Sequence, residues 1–76
     1  MNNKRRDLLK LAVQLLERAS GYVSQALDAE QDCLDNMPEN LQSSERYEKM
    51  EAAINSLEAA IESIDSAKES IEDASA

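Results

Sequence analysis

The 76-residue chain contains no histidine, tryptophan or phenylalanine, and only one cysteine, one glycine and one proline. Each absence removes a class of chemistry. Without histidine, no ordinary zinc site can be assembled from Cys and His ligands, and the Glu-x-x-His pairs of di-iron bundles cannot be built. The single thiol, Cys33, cannot close an internal disulfide, and as a nucleophile it lacks a histidine base. It is expected to pack beside apolar Leu34. No phosphate-binding loop and no nucleophile–base pair is recognisable, so the chain is expected not to be an enzyme and to need no cofactor or metal. No apolar run approaches the roughly 20 residues of a membrane span. Lys4-Arg5-Arg6 ahead of a leucine-rich stretch copies the start of a signal peptide, but Lys10 and Gln14 interrupt the run and Glu17-Arg18 ends it. That pattern is amphipathic. The expected setting is cytoplasmic, which suits an unpaired thiol.

What is present is the composition of long helices: Ala, Leu, Ile, Glu, Ser and Lys dominate. The formal charge is −8, and it is unevenly placed: residues 1–36 carry five basic and six acidic side chains, residues 37–76 three basic and ten acidic. A net negative chain repels phosphate backbones and anionic bilayers, so neither nucleic acid nor a membrane is expected as the partner.

From residue 53 the sequence reads as three tandem heptads, Ala-Ile-Asn-Ser-Leu-Glu-Ala, Ala-Ile-Glu-Ser-Ile-Asp-Ser and Ala-Lys-Glu-Ser-Ile-Glu-Asp. With Ile54 and Ile61 at position a and Met50, Leu57, Ile64 and Ile71 at d, Ala53, Ala60, Ala67 and Ala74 all fall at g. A narrow apolar seam flanked by methyl groups lets a neighbouring helix approach closely. Lys68 interrupts the seam, either as a snorkelling side chain or as a polar device that sets register.

The first half carries its own helical pattern, with Leu8, Leu9, Ala12, Leu15, Leu16, Ala19, Tyr22, Val23, Ala26, Leu27, Leu34 and Met37 recurring three and four apart. Asn2 or Asn3 can cap its start, and Gly21 sits mid-pattern as a tolerated residue, a close crossing point or a kink. Asn36-Met37-Pro38-Glu39-Asn40 forms the corner, because the residue before proline is pushed out of the helical region. Asn36 is expected to cap a short turn there, and Ser43 or Ser44 the second helix.

The predicted fold is therefore all-α: helix one over about 3–36, a corner over about 37–43 and helix two over about 44–73. Two helices of nearly equal length fold back as an antiparallel, coiled-coil-like hairpin, a single domain. Folding back places the basic cluster Lys4, Arg5, Arg6 and Lys10 beside Glu69, Glu72 and Asp73.

Helix one offers apolar doublets at Leu8-Leu9, Leu11-Ala12, Leu15-Leu16, Tyr22-Val23 and Ala26-Leu27, more width than one partner helix can cover. The expectation is self-association, most simply a homodimer forming a four-helix bundle, with a larger bundle obeying the same pattern. The core and oligomer seam is predicted to comprise Leu8, Ala12, Leu15, Leu16, Ala19, Tyr22, Val23, Leu27, Leu34, Tyr47, Met50, Ile54, Leu57, Ile61, Ile64 and Ile71.

On helix two, Glu51, Glu58, Asp65 and Glu72 occupy position e, with Glu62 and Glu69 at b. Carboxylates seven apart are separated by roughly 10 Å, too far to share a metal ion. The strip is either a solvated face or a binding face for a protein with a basic surface. The alternative is an RNA-binding hairpin dimer that uses the basic cluster, an arrangement that looks like small plasmid copy-number bundles in architecture alone; a third reading is a purely structural oligomer.

The stretch from Asn36 to Glu51, leading into the acidic Ala/Ile/Ser/Glu helix, resembles small uncharacterised acidic helical proteins of bacterial and phage genomes. The resemblance covers nearly the whole chain and brings no catalytic motif. It implies a mobile-element setting, in which small acidic proteins act as inhibitors by binding a host protein.

Overall fold

Helix α1 spans Asn3–Asp35 and helix α2 spans Glu45–Ser75, joined by a corner that contains a single 3-10 turn, Glu39–Leu41. The computed structural model describes residues 1–76 and contains no strand.

The helix ends are set by short polar side chains. Asn2 is extended, and its Oδ1 accepts a 2.9 Å hydrogen bond from the Arg5 amide, satisfying one of the free donors of the first turn. At the other end the Asn36 amide donates to the Asp32 carbonyl, and that of Met37 to Leu34. Pro38 is extended, at φ −58° and ψ 146°, and turns the chain away from the helix axis. The 3-10 turn has no side-chain cap, so Asn36 closes α1 and does not open the turn. Ser44 then starts α2: its Oγ accepts from the Tyr47 amide at 3.2 Å and donates to the Leu41 carbonyl at 2.6 Å. Glu45 and Glu48 in the first turn favour the positive end of the helix dipole. Helix α2 continues to Ser75, two residues beyond its predicted end, where the Ser75 hydroxyl donates to the Ile71 carbonyl.

Gly21 neither breaks α1 nor makes room for a neighbour. It lies inside the continuous helix, on an exposed face, and a Cβ built there meets nothing within 4 Å. Substitution by alanine therefore removes only backbone freedom of the unfolded chain. Gly21→Ala is expected to stabilise the protein by about 0.5–1 kcal/mol and raise the thermal midpoint by about 4–8 °C per kcal/mol, read from the helical circular-dichroism signal.

The two helices pack as an antiparallel hairpin. On α1 the inward row is a strict three-four alternation: Leu9, Val13, Leu16, Ser20, Val23, Leu27, Glu30, Leu34, and Met37 just past the helix, all half-buried. Against it α2 presents Tyr47, Met50, Ile54, Leu57, Ile61, Ile64 and Ile71, the heptad seam read from its sequence. Only Met50 and Ile54, at 8% and 5% exposure, are buried. Both sit in the corner half of the hairpin. Further from the corner the seam contains Ser20 and Lys68, and no residue there is buried.

This hairpin is long and thin. It measures 59 × 15 × 13 Å with a radius of gyration of 17.4 Å, against about 11 Å for a compact chain of this length. Its accessible surface is 5690 Å², whereas a compact monomer of 8.4 kDa exposes about 4,600 Å². Two helices side by side leave more than half of each cylinder in water.

Candidate interaction surface

The doublets of α1 divide between two faces. The second member of each pair, Leu9, Leu16 and Val23, turns towards α2, while the first, Leu8, Leu15 and Tyr22, turns away. Consecutive residues are rotated by 100°, so a doublet repeated every seven residues generates two apolar stripes. Leu11 joins the outer one. The exposures are 61% for Leu8, 53% for Leu11, 54% for Leu15 and 72% for Tyr22, and the Tyr22 hydroxyl makes no hydrogen bond within the chain. Ala12 and Ala19, both half-buried, lie between the two stripes, and Ala26, Ala29 and Cys33 extend the outer one as exposed residues. Cys33 is thus not packed inside the hairpin.

Among the predicted seam residues, Leu16, Val23, Leu27 and Leu34 line the α1–α2 interface with the whole α2 set, and Leu8, Leu15 and Tyr22 stand outside it. Leu9, Val13 and Met37 face inward and were not in the predicted seam. The signal for them is the strict alternation beginning at Leu9, which Ser20 and Glu30 obscure when only apolar residues are followed.

Helix α2 has no second stripe. Its large apolar residues all lie on the inward face, and the six carboxylates Glu51, Glu58, Glu62, Asp65, Glu69 and Glu72 are exposed. They form a continuous negative flank with no cation held among them: the only ion pairs in the chain are Glu45–Lys49 at 3.2 Å and Glu17–Lys68 at 3.7 Å. No three Cys, Asp or Glu side chains come together as a metal-ligand cluster, and no helix is long and apolar enough to cross a membrane.

The Glu17–Lys68 pair crosses between the helices and marks their register. At that register Leu9 lies level with Ala76, and a groove at this end is lined by Leu9, Lys10 and Val13 from α1 with Glu72, Ser75 and Ala76 opposite. Lys4, Arg5 and Arg6 therefore lie past the level of Ala76 and form no ion pair, contrary to the predicted placement beside Glu69, Glu72 and Asp73; only Lys10 shares a groove with Glu72. The helices are not flush because the corner carries the chain beyond the end of α1 before α2 begins. Lys4, Arg5 and Lys10 are exposed; Arg6 is half-buried, with its Nε shielded and unpaired.

Lys68 occupies a seam position with its side chain 25% exposed, its stem along the interface and its Nζ turned towards Glu17. A partly exposed pair of this kind contributes about 0–1 kcal/mol, less than an apolar side chain gains when half removed from water, about 1–1.5 kcal/mol. Lys68→Met is expected to raise stability by about 0.5–1 kcal/mol, measured by urea denaturation; a fall in stability would assign the ammonium a register-setting role.

No family model, curated protein or solved structure matches the chain. The fold and surface define a class, an acidic two-helix hairpin with one uncovered apolar face.

Proposed function

We propose that the protein is a non-enzymatic protein-binding module, a hairpin that associates with itself through the outer face of α1 and offers the acidic flank of α2 to another protein. The observation that carries this reading is the stripe Leu8, Leu11, Leu15 and Tyr22, apolar, contiguous and more than half exposed. Exposed apolar patches of this kind mark protein interfaces. The surface excess supports it too: a standard interface removes about 800 Å² from each partner, which brings the exposed area of each copy close to that of a compact chain. The resemblance to small acidic proteins of phage and bacterial genomes extends the reading to a blocker of a host protein, with the carboxylates of α2 facing a basic surface.

The test is the solution mass by light scattering after gel filtration, over a wide concentration range. Twice 8.4 kDa, or a higher multiple, is expected; a mass of one chain at every concentration removes self-association. For the acidic flank, Glu58→Gln, Glu62→Gln and Asp65→Gln together are expected to keep the mass and helicity and to lose partners that the native chain captures from cells. Unchanged capture would take the flank out of the reading.

A further inference from the structure

Resting on that self-association, we propose that two copies join through α1 alone, antiparallel, about a two-fold axis at Leu15. Three observations lead there. The first is that the outer stripe of α1 has no complement on α2, whose large apolar residues are all used inside its own hairpin. The only matching apolar surface on a second copy is the same stripe.

The second is the symmetry of the stripe. Leu8 and Tyr22 lie seven residues either side of Leu15, and Leu11 and Ala19 four either side. In an antiparallel pair centred on Leu15, Leu8 meets Tyr22 of the second copy, Leu11 meets Ala19, and Leu15 meets itself, so every large residue of the stripe has an apolar partner. Ala12, Ala19 and Ala26, one per heptad, let the two backbones approach. Arg18 lies level with Ala12 of the second copy, where its stem covers apolar surface and its guanidinium reaches water.

The third is charge. Over residues 4–22, α1 carries five basic and two acidic side chains, while its remainder through Asp35 carries only Asp28, Glu30, Asp32 and Asp35. Parallel pairing would stack Lys4, Arg5, Arg6 and Lys10 on their own copies. Antiparallel pairing separates them and brings Lys4 within about one turn of Asp28 of the second copy. Both α2 helices, each carrying nine of the sixteen acidic residues of its copy, are held on the outside, where solvent screens their repulsion.

Cysteine geometry tests this directly. In a Cys33→Ser background, Leu15→Cys is expected to form a disulfide-linked dimer on mild oxidation, since of all like pairs the residues on the axis come closest to the Cα separation, at most about 7 Å, that a disulfide can bridge. Leu15 is exposed in the hairpin, so the substitution leaves the fold of each copy in place. Leu8→Cys alone is expected not to link, its two copies standing about 21 Å apart along the axis, whereas Leu8→Cys with Tyr22→Cys links through unlike positions. Native Cys33 is exposed and accepts a spin label; the label pair is expected at about 54 Å. A Cys33 pair under about 20 Å, or linkage through Cys33 as fast as through Leu15→Cys, would overturn the antiparallel arrangement. A dimeric mass with no linkage at Leu15→Cys would place the interface elsewhere and leave self-association standing. A mass of one chain would remove the underlying reading instead.

Discussion

Replacing Ile54 with aspartate unfolds the hairpin. Ile54 is the most enclosed side chain of the molecule, at 5% exposure, and Met50, one turn away, is the only other buried residue. Truncating a buried isoleucine costs about 2–5 kcal/mol, and an unpaired carboxylate at the same place adds a further few kcal/mol. A domain of this length has about 4–11 kcal/mol of stability in total, so the loss is of the same size as the whole. The expected result is disappearance of the helical signal and of a cooperative melt at 25 °C. Asn55→Asp places the same carboxylate on the exposed neighbour and is expected to shift stability by no more than about 0.5 kcal/mol. If Ile54→Asp retained a native-like melt, the α1–α2 seam would not be what holds these helices.

Converting Leu11 and Leu15 to glutamate has an effect whose size depends on whether a second copy is present. In an isolated hairpin both residues are more than half exposed, and glutamate is a good helix former, so each change is expected to alter stability by about 0.5 kcal/mol or less. In the proposed dimer four leucines leave the interface at once. Each contributes about 1–1.5 kcal/mol when its remaining exposed half is taken from water, and every 1.4 kcal/mol is tenfold in affinity. The expected result is association weaker by about a thousandfold or more, with a melting midpoint that no longer rises with protein concentration. Sedimentation equilibrium and melts at several concentrations read both. An unchanged dimer would exclude the outer face of α1 as its interface.

The heptads of α2 were legible to the residue. Each apolar position from Met50 to Ile71 that the sequence places at a or d faces α1, because the remaining positions are Ser, Glu, Asp, Asn and Ala and leave no competing stripe. The caps were legible to within one residue, Asn2 or Asn3 and Ser43 or Ser44, because short polar side chains directly ahead of a periodic run have few other uses; the structure selects Asn2 and Ser44. The doublets of α1 were different. Leu8-Leu9, Leu15-Leu16 and Tyr22-Val23 show that two faces are apolar, but either member satisfies a helical period, and nothing local says which turns inward. The level of the basic cluster was equally hidden, since it depends on how far a nine-residue corner advances the chain between the helices.

The sequence by itself determined that the chain is two long amphipathic helices with a break at Pro38, that α2 has a single apolar seam, and that the acid of α2 lies on its outer side. These follow from periods and caps, which act within a few residues of chain. Only the tertiary structure decided which stripe of α1 is spent on α2, and therefore which one remains exposed. It also decided that Gly21 and Cys33 face water, and that Lys68 crosses to Glu17 while Lys4, Arg5 and Arg6 pass the end of α2. The physical reason is that register and rotation are properties of two helices together: each one alone permits several, and close contact between side chains selects one.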